Sequence, residues 1–138
     1  MELTLNLAKK LIEIGKAKAI QDFGRPICIA VCDPTGALLT FDRMDGAPLR
    51  SIRISQSKAY TAARMGIPTD AFLARLRQDN LDIGYFCDPE FTALPGGNPL
   101  KDSSGKILGC VGVSGLAASE DQAITEYIAQ LVVDGGIE

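Results

Sequence analysis

The chain contains no histidine and no tryptophan among its 138 residues. Because no imidazole is present, the chain cannot contain a Ser-His-Asp triad, the catalytic pair of a Cys-His protease, a histidine-ligated zinc or a haem held by a proximal histidine. Acid–base chemistry would depend on Asp, Glu, Lys, Tyr or Cys. We therefore expect no hydrolase of the usual kinds, and the sequence gives us neither a catalytic residue nor a metal ligand to predict.

Basic charge and long apolar runs are also scarce. The chain has 14 Lys and Arg against 17 Asp and Glu, a formal net charge of −3. Nucleic acid is excluded as a partner because phosphate binding needs a basic surface. No apolar run approaches the roughly 20 residues that span a bilayer, and Met1-Glu2-Leu3-Thr4 has no basic signal region. We expect a cytoplasmic protein with no membrane partner.

Paired cysteine motifs are absent. The four cysteines are Cys28, Cys32, Cys87 and Cys110, with no C-x-x-C spacing. Cys28 and Cys32 share one predicted strand, where four residues separate them by roughly 13 Å, so they neither bridge nor chelate one metal. We expect buried free thiols, with Cys87 the one thiol in an irregular segment.

Hydrophobic periodicity predicts alternating helices and strands. Helices are expected over residues 3–23, 50–66, from 69 onward with Thr69-Asp70 as N-cap, and 119–133. Strands are expected over 27–31, 37–41 and 106–114, with further strand-like pieces at 85–86 and 91–93. The first and third strands are apolar on both faces, which predicts interior positions in the sheet. This order predicts one α+β domain over residues 1–138, with an antiparallel sheet covered by helices.

Glycine and proline concentrate in Leu94-Pro95-Gly96-Gly97-Asn98-Pro99-Leu100, ahead of the apolar run that ends in Gly112-Val113-Ser114-Gly115. Glycine allows positive φ or a close backbone approach, and proline fixes its own φ. The stretch could form a nest of N–H groups for an anionic ligand, with Ser114-Gly115 as a second wall. The alternative is a tight loop that only turns the chain.

Several motifs occur together in an order that resembles the GlcG/HbpS family, which includes the C-terminal domain of PduO-type corrinoid adenosyltransferases. They are Asp33-x-x-Gly36, Arg43-Met44-Asp45-Gly46-Ala47, Lys58-Ala59-Tyr60-Thr61-Ala62, Leu94-Pro95-Gly96-Gly97-x-Pro99, residues 109–115 and Ser119-Glu120-Asp121-Gln122. The resemblance implies a profilin-like α-β-α sandwich with a five-stranded antiparallel sheet. It also implies homo-oligomers and small-ligand binding, with haem as a cofactor of some members. Because some of those members use histidine to hold haem, this chain departs from the family there.

The predicted ligand-binding residues follow these motifs. Arg43, Met44 and Asp45 offer a cation, a thioether and a carboxylate; the alternative is a strand-to-helix turn. Lys58 offers a cation for a ligand carboxylate, or is a solvated or interface lysine. Tyr60 offers a phenolate, or is a core tyrosine. The full set is Arg43, Met44, Asp45, Gly46, Lys58, Tyr60, Thr61, Pro95, Gly96, Gly97, Ser114 and Gly115.

Three functions remain open from the sequence. The first is a non-enzymatic protein that binds haem, another tetrapyrrole or a small anionic metabolite; the resemblance implies an accessory role in glycolate, propanediol or glycerol breakdown. The second is an enzyme for a small carbonyl or hydroxy-acid compound that uses Lys58, Asp45 or Tyr60. The third is a scaffold subunit of a corrinoid-dependent dehydratase system. If the glycine loop binds ligand, Gly97→Val should impair binding more than folding.

Overall fold

A computed structural model describes residues 1–137. Its elements follow the chain as α1 (Leu5–Phe23), β1 (Cys28–Cys32), β2 (Leu38–Arg43), α2 (Ser51–Met65), α3 (Thr69–Gln78), a 3₁₀ turn (Ile83–Phe86), β3 (Gly97–Lys101), β4 (Ile107–Ser114) and α4 (Ala118–Val133). The four long helices and the three main strands agree with the periodicity to within a few residues.

The helix ends follow local chemistry. The Thr4 hydroxyl accepts a hydrogen bond from the Leu7 N–H at 3.1 Å at the start of α1, and Gly24, at φ 66°, ends that helix. At the start of α4, the Glu120 carboxylate accepts from the Ala117 N–H at 3.1 Å. The N-cap prediction for Thr69 is wrong, because Pro68 takes that position and the Thr69 hydroxyl accepts instead from the Gly97 N–H at 2.9 Å.

The sheet is antiparallel with strand order β2-β1-β4-β3. β1 and β4 occupy its interior, as their apolar faces predict. All five residues of β1 are buried, whereas β2 at the edge is only partly covered.

The prediction of five strands is wrong: residues 1–137 form four. Residues 83–86 form a 3₁₀ turn, held where the Asp82 carboxylate accepts from the Gly84 N–H at 2.7 Å. Phe86 and Phe91 pack on Phe72, with ring centroids 5.1 and 5.8 Å away, rather than entering the sheet. β3 forms instead within the predicted loop, where an edge position tolerates Pro99, which has no N–H to donate.

Helices cover both faces of the sheet. On one face, α1 and α4 pack on Ile29, Val31, Val111 and other large aliphatic side chains. On the other face, α2 packs on a layer of small side chains that includes Ala30, Cys32 and Cys110. α3 contacts α2 and continues that second layer. Alternate residues of β1 thus face two cores of different character.

Candidate functional site

Lys58 lies in the interior rather than in an open pocket. Its side chain is 2% exposed, and its Nζ donates to the Val113 carbonyl at 2.8 Å and to the Asp121 carboxylate at 3.1 Å. Asp121 also accepts from the Leu116 N–H at 3.1 Å, so the ion pair joins α2 to the start of α4. Lys58 is therefore committed to partners within its own chain.

Burial dominates the electrostatics of this pair. Removal from water lowers the pKa of Lys58 and raises the pKa of Asp121 to about 6, although each charge favours the ionised form of the other. The ion pair therefore persists against a desolvation cost.

Gly96 and Gly97 also face inward. The Gly96 N–H donates to the Gln122 amide oxygen at 2.6 Å, and the Gly97 N–H donates to Thr69. These donors are occupied, so they form no open nest for an anion. A Cβ on Gly97 would collide with the Lys58 carbonyl, and one on its ladder partner Gly112 would lie 2.6 Å from the Ala59 nitrogen. The two glycines let the backbone of α2 lie directly on the sheet.

Three further predicted residues have structural contacts. The Ser114 hydroxyl is buried and donates to the Ser51 hydroxyl at 3.0 Å. Gly115 lies against Pro26 and Pro48. Thr61 donates to the Ser57 carbonyl at 2.7 Å and accepts from the Thr92 N–H at 3.0 Å. Pro95, half-buried, leads into this region.

Arg43, Met44 and Asp45 lie together at an open groove of about 480 Å³, which we call the Arg43 groove. Its other lining residues are Lys16, Ile20, Pro26 and Asp42, and Gly46 borders it through Pro26. Lys16 is neutralised by Asp42 and Glu13, each at 2.6 Å. Arg43 forms no ion pair within residues 1–137, so its guanidinium is available.

Tyr60 belongs to a separate cavity of about 360 Å³, which we call the Tyr60 cleft. It is lined by Cys32, Gly36, Leu38, Arg53, Gln56, Ser57, Ala59, Tyr60 and Glu90. The Tyr60 hydroxyl donates to the Asp88 carboxylate at 2.6 Å, and this hydrogen bond raises the pKa of Tyr60. The three groups proposed for acid–base catalysis, Lys58, Asp45 and Tyr60, therefore lie in three different places.

A third groove, larger than the two above, contains none of the predicted residues. This α3 groove, of about 660 Å³, lies between α3 and the segment 81–94. Its apolar lining is Leu73, Leu76, Leu81, Ile83, Phe91, Ala93 and Leu94, and its polar lining is Arg77, Asn80, Asp82 and Thr92. The Thr61–Thr92 hydrogen bond holds the wall of the groove against α2. The sequence feature that could have indicated this groove is the set of apolar residues in the segment 81–94, which is too irregular to be a strand.

The described residues, 1–137, contain no group of three or more His, Cys, Asp or Glu side chains placed to hold a metal ion. Over the same range, no helix has both the length and the apolar character needed to cross a membrane.

Comparisons with known proteins agree with this architecture. A family model described as "Haem degrading protein HbpS-like" matches residues 3–130. An uncharacterised 15.0 kDa protein from the dhaT-dhaS intergenic region of Citrobacter freundii is 34% identical over 128 residues, which cover 90% of this chain and 87% of that protein. Protein GlcG of Escherichia coli strain K12 is 35% identical over 112 residues, 81% of each chain. The crystal structure of HbpS superposes with a TM-score of 0.84 at 29% identity, covering 96% of this chain and 91% of that one.

Proposed function

The chain belongs to the HbpS-like family, and from that premise we propose that it binds haem or a related anionic tetrapyrrole without coordinating the iron through an imidazole. The proposed site is the α3 groove. The observation that carries the proposal is the lining of this groove: seven apolar residues and one arginine, with Asn80, Asp82 and Thr92 as its other polar residues.

The groove suits the shape and chemistry of a porphyrin. Ligand pockets of roughly 300–1,000 Å³ are mostly apolar with a few placed polar groups, and the α3 groove has about 660 Å³. Leu94 is 47% exposed and Leu76 is 7% exposed, so the apolar surface runs from the rim to the floor. Burial of this surface under a flat ring supplies the binding free energy.

Arg77 supplies the complementary charge. It lies in the last turn of α3 and forms no ion pair within residues 1–137. A guanidinium can bind a propionate through two hydrogen bonds. We assign this role to Arg77.

The iron of a haem finds no good ligand in this groove. None of the lining residues is a histidine, cysteine, methionine or tyrosine, which are the usual axial ligands. The residues present fit the porphyrin ring and one carboxylate, but they do not fit the iron. We therefore propose binding and derive no degradation step.

The Arg43 groove is a second candidate site, for a small anionic metabolite, and it is lined by Arg43, Met44 and Asp45 of the predicted ligand-binding residues. Arg43 would bind the carboxylate, and Met44 would contribute its thioether, which already accepts from the Ile27 N–H at 3.4 Å. A cytoplasmic location and an accessory role in glycolate, propanediol or glycerol breakdown also remain predictions.

Absorption titration with haemin tests the proposal and its location. We expect Arg77→Gln to raise the Kd for haemin about three- to tenfold, because an exposed ion pair between an arginine and a carboxylate contributes roughly 1 kcal/mol. Leu94→Asp should weaken binding by more than about tenfold, because it places a charge on the apolar rim. Arg43→Gln and Leu49→Asp are the matched controls: Arg43 is another arginine without an ion pair in the described chain, and Leu49, 73% exposed, lies outside the groove. A loss confined to Arg43→Gln would move the site to the Arg43 groove and overturn the proposed location.

A further inference from the structure

The floor of the Tyr60 cleft contains a thiol. Cys32, the last residue of β1, lines this cavity, although only 2% of its surface is exposed. The walls come from the hairpin residues Gly36 and Leu38, the α2 residues Gln56 and Ser57, and Glu90 at the mouth. A small molecule entering the cleft therefore reaches the central sheet at Cys32.

A second thiol lies directly beside this one. Cys32 on β1 is the ladder partner of Cys110 on β4, and both side chains lie in the small-residue layer under α2. Directly opposed residues of antiparallel strands have Cα atoms about 4.5–5.5 Å apart, inside the range of roughly 4.4–6.8 Å that disulfides require. The ladder pairing therefore places the two thiols side by side on the same face of the sheet.

Most residues around this pair are small. Ala30, Ala59 and Ala62 share the layer, and the larger Phe41 and Ile107 pack against it. The Cys32 thiol points toward the Ala59 carbonyl at 3.5 Å, a weak hydrogen bond. Neither thiol is committed to a strong partner.

The two cysteines differ in access. Cys110 is fully buried and does not line the cleft. Hydrogen bonding to Cys32 and burial both raise the pKa of the Cys110 thiol above its usual range, which keeps it protonated. An oxidant in the cleft therefore meets Cys32 first.

We propose that Cys32 and Cys110 form a peroxide-reactive pair, with the Tyr60 cleft as the entrance for a small hydroperoxide. In the first step the Cys32 sulfur attacks the terminal peroxide oxygen and the O–O bond breaks. Cys32 becomes a sulfenic acid, and the Cys32 thiol proton passes to the departing oxygen, which leaves as an alcohol or water. In the second step the Cys110 sulfur attacks the Cys32 sulfur and displaces the hydroxyl, which leaves as water with the Cys110 proton. One peroxide is reduced and two thiols are oxidised to one disulfide; a small dithiol reverses the reaction.

The other two cysteines provide matched comparisons. Cys28 lies on the same strand and the same face, and is equally buried, but its ladder partner is Ser114 and it does not line the cleft. Cys87 is exposed and would react on its own account. The experiment therefore uses Cys87→Ser as the background.

The test treats the folded Cys87→Ser chain with hydrogen peroxide, blocks the remaining thiols with N-ethylmaleimide after unfolding, and measures intact mass and peptides. We expect a disulfide between Cys32 and Cys110, a mass loss of two hydrogens, and two fewer alkylated thiols. Cys28→Ser should leave this product unchanged. Cys110→Ser should stop at a sulfenic acid on Cys32 that dimedone traps, and Cys32→Ser should leave Cys110 unreacted.

Access through the cleft is tested by Ser57→Leu, which narrows the cavity without touching either cysteine. We expect slower disulfide formation in folded protein and an unchanged rate in urea-unfolded protein. Unreacted Cys32 in the wild-type chain, at a peroxide dose that fully oxidises exposed Cys87, would overturn the proposal. Oxidation of Cys28 at the same rate as Cys32 would also overturn it, because the cleft would then confer no selectivity.

Discussion

At the scale of single residues, Lys58 shows how position changes the role of a side chain. The sequence places Lys58 within a motif, but the motif does not indicate which residue Lys58 contacts. Asp121 lies 63 residues away and meets Lys58 because α2 and the start of α4 come together beside Val113 on the interior strand β4. Removing Lys58 would leave the buried Asp121 carboxylate without its cation, a loss that typically costs about 3–5 kcal/mol.

The raised pKa of Asp121 predicts a specific pH dependence of stability. The folded pKa is about 6 and the ordinary value is 3.8, so between these values the folded chain holds a proton that the unfolded chain has released. Stability from this group is therefore full below about pH 4 and declines as the pH rises through about 6. At about 1.4 kcal/mol per pKa unit, the decline is at most about 3 kcal/mol.

Urea unfolding of the wild type and Asp121→Asn at pH 4, 5, 6 and 7 measures this effect. We expect the stability advantage of the wild type over Asp121→Asn to shrink across that range. Asp45→Asn, which changes an exposed carboxylate outside every ion pair in residues 1–137, is the control and should follow the wild-type slope. Parallel pH profiles for the wild type and Asp121→Asn would contradict the assignment.

At the scale of elements, periodicity predicted the four long helices and both interior strands, because burial on one or two faces leaves a direct trace in the sequence. It could not predict β3, since edge pairing alone tolerates Pro99, or the 3₁₀ turn at 83–86, which an Asp82 side chain stabilises. The small residues of α2, among them Ser51, Ser55, Ala59 and Ala62, form a packing surface. Their partner is the chain's own sheet.

The close contact between α2 and the sheet predicts that its glycines are structural. Gly97→Ala and Gly112→Ala should each lower the free energy of unfolding by about 1–3 kcal/mol, because the added methyl meets the α2 backbone. Gly136→Ala, where a methyl would meet only ordinary contacts with Leu131 at 3.7 and 3.8 Å, should change little. Urea denaturation measures all three.

This outcome would reverse the expectation that Gly97→Val impairs binding more than folding. The valine branches would face the Lys58 carbonyl and the Thr69 methyl group, 2.8 Å from the new Cβ, rather than a ligand. A stable Gly97→Ala protein with selectively weakened haemin binding would restore the ligand role of the loop.

At the scale of the whole molecule, the candidate site was the least predictable part. The motifs contain structurally important residues, yet these disperse among the buried ion pair, the Arg43 groove and the Tyr60 cleft. The α3 groove forms where a helix and an irregular segment pack together, and no local sequence pattern predicts such a contact. Thr61 is the predicted residue that contacts the wall of the α3 groove, since its hydroxyl accepts a hydrogen bond from the Thr92 N–H.

Homo-oligomers remain a prediction, and the exposed edge of the sheet at β2 supports it. β2 leaves one edge of the sheet unpaired, and Leu38, 50% exposed, lies on it. Exposed strand edges and apolar side chains are common sites of self-association. Light scattering at micromolar concentration should give a multiple of the 14.7 kDa chain mass, whereas a single species of that mass would contradict the prediction.

We propose that the chain binds the porphyrin ring and a carboxylate of a tetrapyrrole and supplies no ligand to the iron. The most direct measurement compares the Kd of haemin with that of metal-free protoporphyrin IX under the same conditions. Because both share the ring and the propionates, we predict values within about threefold of each other, a difference below about 1 kcal/mol. Haemin binding at least about tenfold tighter, with the absorption spectrum of a coordinated iron, would show that the chain supplies an axial ligand and would contradict the account.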